Sequence, residues 1–111
     1  MYLFDFIRDN TNKFEEICKA HKVEKLYAFG SSITDEFDFA KSDVDLLVQL
    51  DVIDPLDRGE ALMSLWDELE AFFSKKVDLL TQDSLKNPYL KKSIEETKVE
   101  IYDGQGEKVL V

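Results

Sequence analysis

Apolar residues recur along the chain with two distinct periods. Over the first twenty residues Leu3, Phe6, Ile7, Phe14, Ile17 and Cys18 return near every 3.6 positions, which predicts an amphipathic helix. Its weak point is Asn10-Thr11-Asn12, whose side chains compete for backbone hydrogen bonds, so a break or a second helix start falls there. From Val23 to Phe29 the pattern changes to that of a strand, which Gly30-Ser31-Ser32 ends. Ser42 to Gln49 forms a second strand. Asp54-Pro55 then opens a helix, as an N-cap followed by proline at the first helical position. Leu62, Leu65, Trp66, Leu69, Phe72 and Phe73 hold one face of that helix, a core stripe that Ser74-Lys75-Lys76 closes. A third strand follows at Val77-Asp78-Leu79-Leu80, a second helix over Tyr89–Thr97 after Pro88, and a last strand at Val99–Tyr102. A Gly104-Gln105-Gly106 turn leads into a short apolar tail. This order predicts an α/β (α+β) fold, a mixed sheet flanked by helices.

Three carboxylates disturb that pattern. Aspartate is depleted in strands, yet Asp43 and Asp45 lead straight into Leu46-Leu47-Val48, and Asp78 sits inside the third strand. Side chains two apart on a strand share a face, so Asp43 and Asp45 would point together and Val44 away, into the core. Asp78 can lie beside them in a sheet. Paired carboxylates opposite a Gly-Ser turn suggest a hard divalent cation with a phosphate beside it. A glycine lets backbone come close to a ligand, and free amides with a hydroxyl favour an anion. The same Gly-Ser pair also reads as a plain turn or helix cap. Thr34–Lys41, with Asp35, Glu36, Asp38, Phe37 and Phe39, reads as a mobile connection over the site, its acids solvated.

Length and composition narrow the reading. At 111 residues, 44% hydrophobic and 12% aromatic, the chain is expected to fold as a single domain over residues 1–111. A net charge of −10 argues against binding nucleic acid or anionic membrane directly, though not against a metal-bound nucleotide. The single Cys18 cannot form an internal disulfide and fits a buried thiol in a reducing compartment. His21, at the expected end of the first helical region, reads as a cation at a helix C-terminus. No transmembrane helix or signal peptide is visible, and the expected location is the cytoplasm.

Gly30-Ser31, ten intervening residues, Ser42-Asp43-Val44-Asp45 and the later Val77-Asp78-Leu79 together resemble the signature of the DNA polymerase beta-like nucleotidyltransferases. Size and element order are most similar to the minimal nucleotidyltransferases, often encoded beside a HEPN-domain partner. The resemblance covers nearly the whole chain. It implies a magnesium-dependent enzyme that moves a nucleoside monophosphate, AMP from ATP, onto a hydroxyl of a HEPN-type partner in a toxin–antitoxin pair. It implies that Asp43, Asp45 and Asp78 are catalytic and hold two Mg2+ ions. Gly30, Ser31 and Ser42 would bind the nucleotide. Larger relatives add a domain that contacts base or acceptor, so a partner or a second copy of the chain is expected to complete the acceptor site.

One departure stands out. Many members carry an arginine-containing segment after the Gly-Ser pair, where this chain has Ser32-Ile33-Thr34-Asp35-Glu36. Lys41, Lys75 or Lys76 could substitute for the missing cation. The departure motivates an alternative, a catalytically weak, antitoxin-like module that neutralises a partner by contact. A phospho-acceptor receiver-like domain also clusters acids at strand ends, but has more strand–helix units than this chain.

Overall fold

The structure is a computed structural model that describes residues 2–34, 38 and 41–111. Its elements run α1 (Tyr2–Asp9), α2 (Thr11–Ala20), β1 (Val23–Ala28), β2 (Val44–Leu50), α3 (Pro55–Phe73), β3 (Val77–Leu80), α4 (Pro88–Thr97), β4 (Val99–Asp103) and β5 (Lys108–Val109). Short 3-10 turns at Gly30–Ile33 and Gln82–Ser84 follow β1 and β3. The predicted break is real. Asn10 separates α1 from α2, and its side chain donates to the Phe6 carbonyl at 2.8 Å.

The five strands form one mixed sheet in the order β3-β2-β1-β4-β5. Only β2 and β3 are parallel, because α3 crosses between them, while the other neighbours are antiparallel. The fold is α+β with four helices, as the pattern predicts. The tail adds one feature beyond expectation: β5 pairs with the edge of β4, Tyr102 opposite Val109.

The two faces of the sheet are covered unequally. Leu26, Ala28, Val44, Leu46, Val48, Val77 and Leu79 pack with Leu3 and Ile7 of α1, Phe14, Ile17 and Cys18 of α2, and Leu65, Leu69 and Phe73 of α3. Phe6, Phe14, Phe72 and Phe73 stack along the seam of these helices, with Phe6–Phe72 centroids 5.2 Å apart, edge to face. The opposite face carries a smaller cluster, Phe29, Leu47, Leu85 and Ile94, to which α4 contributes Ile94 and the segment before it Leu85. Alternation along β2 and β3 puts Asp45 with Leu47, and Asp78 with Leu80, on this thinly covered face.

Helix ends follow from local chemistry. Asp54 accepts from the Leu56 and Asp57 amides at 2.9 and 3.1 Å, and Asn87 does the same for α4 from Tyr89 and Leu90. His21 closes α2 and also ties it to α3: Nδ1 lies 2.7 Å from the Ile17 carbonyl, Nε2 2.9 Å from Ser64 Oγ and 2.7 Å from Glu68. Cys18 is buried, and burial pushes its thiol far above the ordinary range, so it is inert.

The edge strand β3 is anchored by α3. Trp66 Nε1 donates to the Val77 carbonyl at 2.6 Å, and the Val77 amide donates to Glu70 at 2.9 Å. These two bonds occupy backbone groups that an edge would otherwise leave for another strand. Trp66→Phe keeps an aromatic ring and deletes the donor. It is expected to cost about 1 kcal/mol in urea denaturation, with an unchanged denaturant slope.

Candidate functional site

Parallel pairing places Asp45 directly opposite Asp78, with backbones about 4.8 Å apart as neighbouring strands require. Both side chains are half-buried. Burial raises the Asp45 carboxyl from its ordinary 3.8 to about 6, and the charge of Asp78, a hydrogen bond to it, and the charge of Asp43 push in the same direction. Two carboxyl groups can share a hydrogen bond only when a proton lies between them. At neutral pH a bound cation would relieve the same repulsion.

The start of β2 differs from the expectation. The strand begins at Val44, whose amide donates to the Lys76 carbonyl at 3.1 Å, and Asp43 is the exposed residue before it. The structure therefore brings Asp45 and Asp78 together, and the exposed Asp43 is close enough for its charge to act on Asp45. Among the described residues no three acidic, histidine or cysteine side chains form a ready-made metal cage. The donor set nonetheless fits a hard divalent cation: oxygen ligands only, two of them facing, one raised well above its ordinary proton affinity.

The Gly-Ser turn presses against this pair. Gly30 has φ +63, the left-handed region that glycine alone enters freely, and a Cβ there would meet Asp45 Oδ2 at 2.9 Å. Ser31 is exposed beside it, its carbonyl accepting the Thr34 amide at 3.2 Å and the Thr34 hydroxyl at 3.0 Å. Ser32 is fully buried, and its Oγ accepts the Asp45 amide at 2.8 Å. Ser42 is half-buried, with its Oγ accepting the Asp38 amide at 3.1 Å and its amide donating to the Asp38 carbonyl at 2.7 Å. Ser42 thus fixes the end of the connection into β2.

The acidic residues Asp35 and Glu36, with Phe37 and Phe39, lie outside the described residues. Of the lysines that could replace the missing cation, Lys41 and Lys76 are exposed and Lys75 is half-buried. Lys76 meets the start of β2 through its carbonyl, which accepts the Val44 amide. Ser32 is the residue that sequence reasoning passed over. Its signal was a third small polar residue directly after Gly-Ser, read only as the end of a strand.

A groove of about 430 Å³ lies at the other ends of β2 and β3, lined by Val48, Leu50, Pro55, Arg58, Leu62 and Thr81. Its lining has a single carboxylate, Asp83, rather than a pair, so the chemistry points to the Asp45–Asp78 end instead.

Comparison with known proteins bears on the family and the fold. A family model described as a nucleotidyltransferase domain matches residues 11–101. A Methanocaldococcus jannaschii chain named as a candidate protein adenylyltransferase is 38% identical over 91 residues, which cover 81% of this chain and 89% of the relative. Among solved structures, a chain described as a candidate minimal nucleotidyltransferase superposes with a TM-score of 0.59 at 22% identity, covering 86% of this chain and 93% of that one. A chain from a Shewanella oneidensis complex, a tri-AMPylated HEPN toxin with an MNT antitoxin, superposes with a TM-score of 0.51 at 23% identity, covering 90% and 75%. The family match over residues 11–101 and the identity to the Methanocaldococcus jannaschii relative show that the chain belongs to the nucleotidyltransferase domain family.

Proposed function

We propose that this nucleotidyltransferase, acting as a single domain over residues 1–111, transfers AMP from ATP to a hydroxyl of a partner protein, a HEPN-type toxin. The observation that carries the reading is the Asp45–Asp78 pair facing the Gly30 turn. The names of the relatives support it: protein adenylylation for the Methanocaldococcus jannaschii chain, and an AMP-modified HEPN toxin in the Shewanella oneidensis complex.

Asp45 and Asp78, with Asp43, would hold the divalent metal, Mg2+ in the cell. When bound, the metal neutralises charge on the attacking and leaving oxygens of the transfer. Gly30 brings backbone close to Asp45, so the turn could present a phosphate beside the carboxylate that would hold the metal. Ser31, exposed at the turn, and Ser42, at the start of β2, offer hydroxyls to the triphosphate. The transfer joins the acceptor oxygen to the α-phosphorus, breaks the bond to the β-phosphate bridge, and releases pyrophosphate and the hydroxyl proton.

A protein as the acceptor suits the surface. Ile53, Leu56 and Met63, around the first turns of α3, are large and exposed on a chain of net charge −10. These residues and the acidic segment after Ser32 also favour the second reading, neutralisation of the partner by contact. The two separate in one experiment. The chain is incubated with α-labelled ATP, magnesium and a co-purified HEPN-domain protein, and the partner is weighed by mass spectrometry. Transfer predicts one or more AMP increments that disappear with chelator. Inhibition of the partner with no label, retained in Asp43→Asn/Asp45→Asn, would replace transfer by contact.

A further inference from the structure

We infer that Ser32 is a positioning residue for Asp45, setting where that carboxylate stands relative to the Gly30-Ser31 turn. The inference rests on the reading of Asp45 as a metal-holding residue. In the antiparallel pairing of β1 and β2, the last register partners are Ala28 and Leu46. The next pair would be Phe29 and Asp45, exchanging two backbone hydrogen bonds. Only half of that exchange is backbone to backbone: the Phe29 amide donates to the Asp45 carbonyl at 3.1 Å. The chain then turns away at Gly30, and the Asp45 amide donates to Ser32 Oγ at 2.8 Å. The hydroxyl therefore takes the place of the carbonyl that the turn carries off.

Both backbone groups of Asp45 are thus held by residues flanking Gly30-Ser31, one on each side. The turn cannot move without Asp45, and Asp45 cannot move without the turn. Tolerance is small, because the Gly30 backbone already stands so near Asp45 Oδ2 that a Cβ would be 2.9 Å from it. Ser32 and His21 are the buried polar side chains of the described residues, and only Ser32 bonds to the carboxylate site. A surface serine would gain nothing from this placement. Ser32 is enclosed and spent on one backbone amide, 13 residues further along the chain.

Supports of this kind act on metal affinity and on alignment more than on folding. The test is manganese binding, read by water-proton relaxation, with a non-hydrolysable ATP analogue present, for wild type, Ser32→Ala and Ile101→Val. Ile101 is buried in the main core, away from the site, and its variant supplies a stability-matched control. Ser32→Ala is expected to weaken manganese–nucleotide binding about tenfold, and Ile101→Val to leave it unchanged at a similar loss of Tm. Transfer to the partner should fall in kcat/KM for magnesium–ATP, with KM rising in step with the lost affinity.

Wild-type affinity in Ser32→Ala overturns the inference alone, as does an equal loss in both variants, which would mark a purely structural role. No manganese–nucleotide binding by the wild type overturns the proposed function and this inference with it.

Discussion

Asp45→Asn is expected to abolish nucleotidyl transfer, by about a thousandfold or more, and yet to make the metal-free protein more stable at neutral pH. The two effects share one cause. The folded state raises the Asp45 carboxyl from 3.8 to about 6, so it binds that proton more tightly than the unfolded chain does. Between about pH 4 and pH 6 the folded protein carries the extra proton, and stability falls as pH rises through this window. Above pH 6 the ionised carboxylate imposes its full penalty, set by burial and by Asp78 and Asp43. The whole displacement is worth at most about 3 kcal/mol. The side chain is only half-buried, and solvent screening brings this to about 1–2 kcal/mol.

Asparagine removes the charge, keeps the shape, and can donate its amide to Asp78. The metal-free Tm at pH 7 should therefore rise by about 4–8 °C, and the gain should vanish near pH 4. Magnesium with ATP should raise the Tm of the wild type and not that of the variant. Thermal scans at the two pH values, with and without magnesium–ATP, read all of this. A variant less stable than wild type at pH 7 would mean that the carboxylate pair holds the fold together rather than straining it.

That strain is also why the carboxylate pair stands out in the sequence. Asp45 and Asp78 stand out because an acid among Val and Leu in a strand is a local anomaly, and period-two alternation fixes their face. Parallel register then sets them opposite each other without further help. The α3 stripe and the Asp54-Pro55 cap were legible for the same reason, since their physics lies within a few residues. The start of β2 reads as Ser42 in the sequence and lies at Val44, because it is decided by the Val44 amide meeting the Lys76 carbonyl, a contact across the sheet. The partners of Ser32 and of His21 lie 13 and 43 residues away, where no local pattern reaches. The two-residue β5 exists only because β4 offers it an edge.

Gly30→Ala is expected to cost activity far more than stability. A non-glycine residue at φ +63 costs about 1–2 kcal/mol, which a folded domain of this size survives. The new methyl group would stand 2.9 Å from Asp45 Oδ2, inside van der Waals contact. That oxygen is the far end of a side chain, so it can swing aside, and the backbone is spared. Swinging aside, however, takes it out of line with Asp78 and away from the cation the pair would hold. Displacement of a ligating oxygen by about half an ångström exceeds what a preorganised site tolerates, and a fall in kcat/KM of about a hundredfold or more should follow. Gly59 provides the contrast on the same chain. It lies inside α3, where a Cβ would meet nothing within 4 Å, so Gly59→Ala should gain about 0.5–1 kcal/mol from helix propensity and leave transfer unchanged. Steady-state transfer assays and urea denaturation on both alanine variants separate the two costs. Wild-type kcat/KM in Gly30→Ala would show that the turn and the Asp45 carboxylate do not work together, and would remove Gly30 from the site.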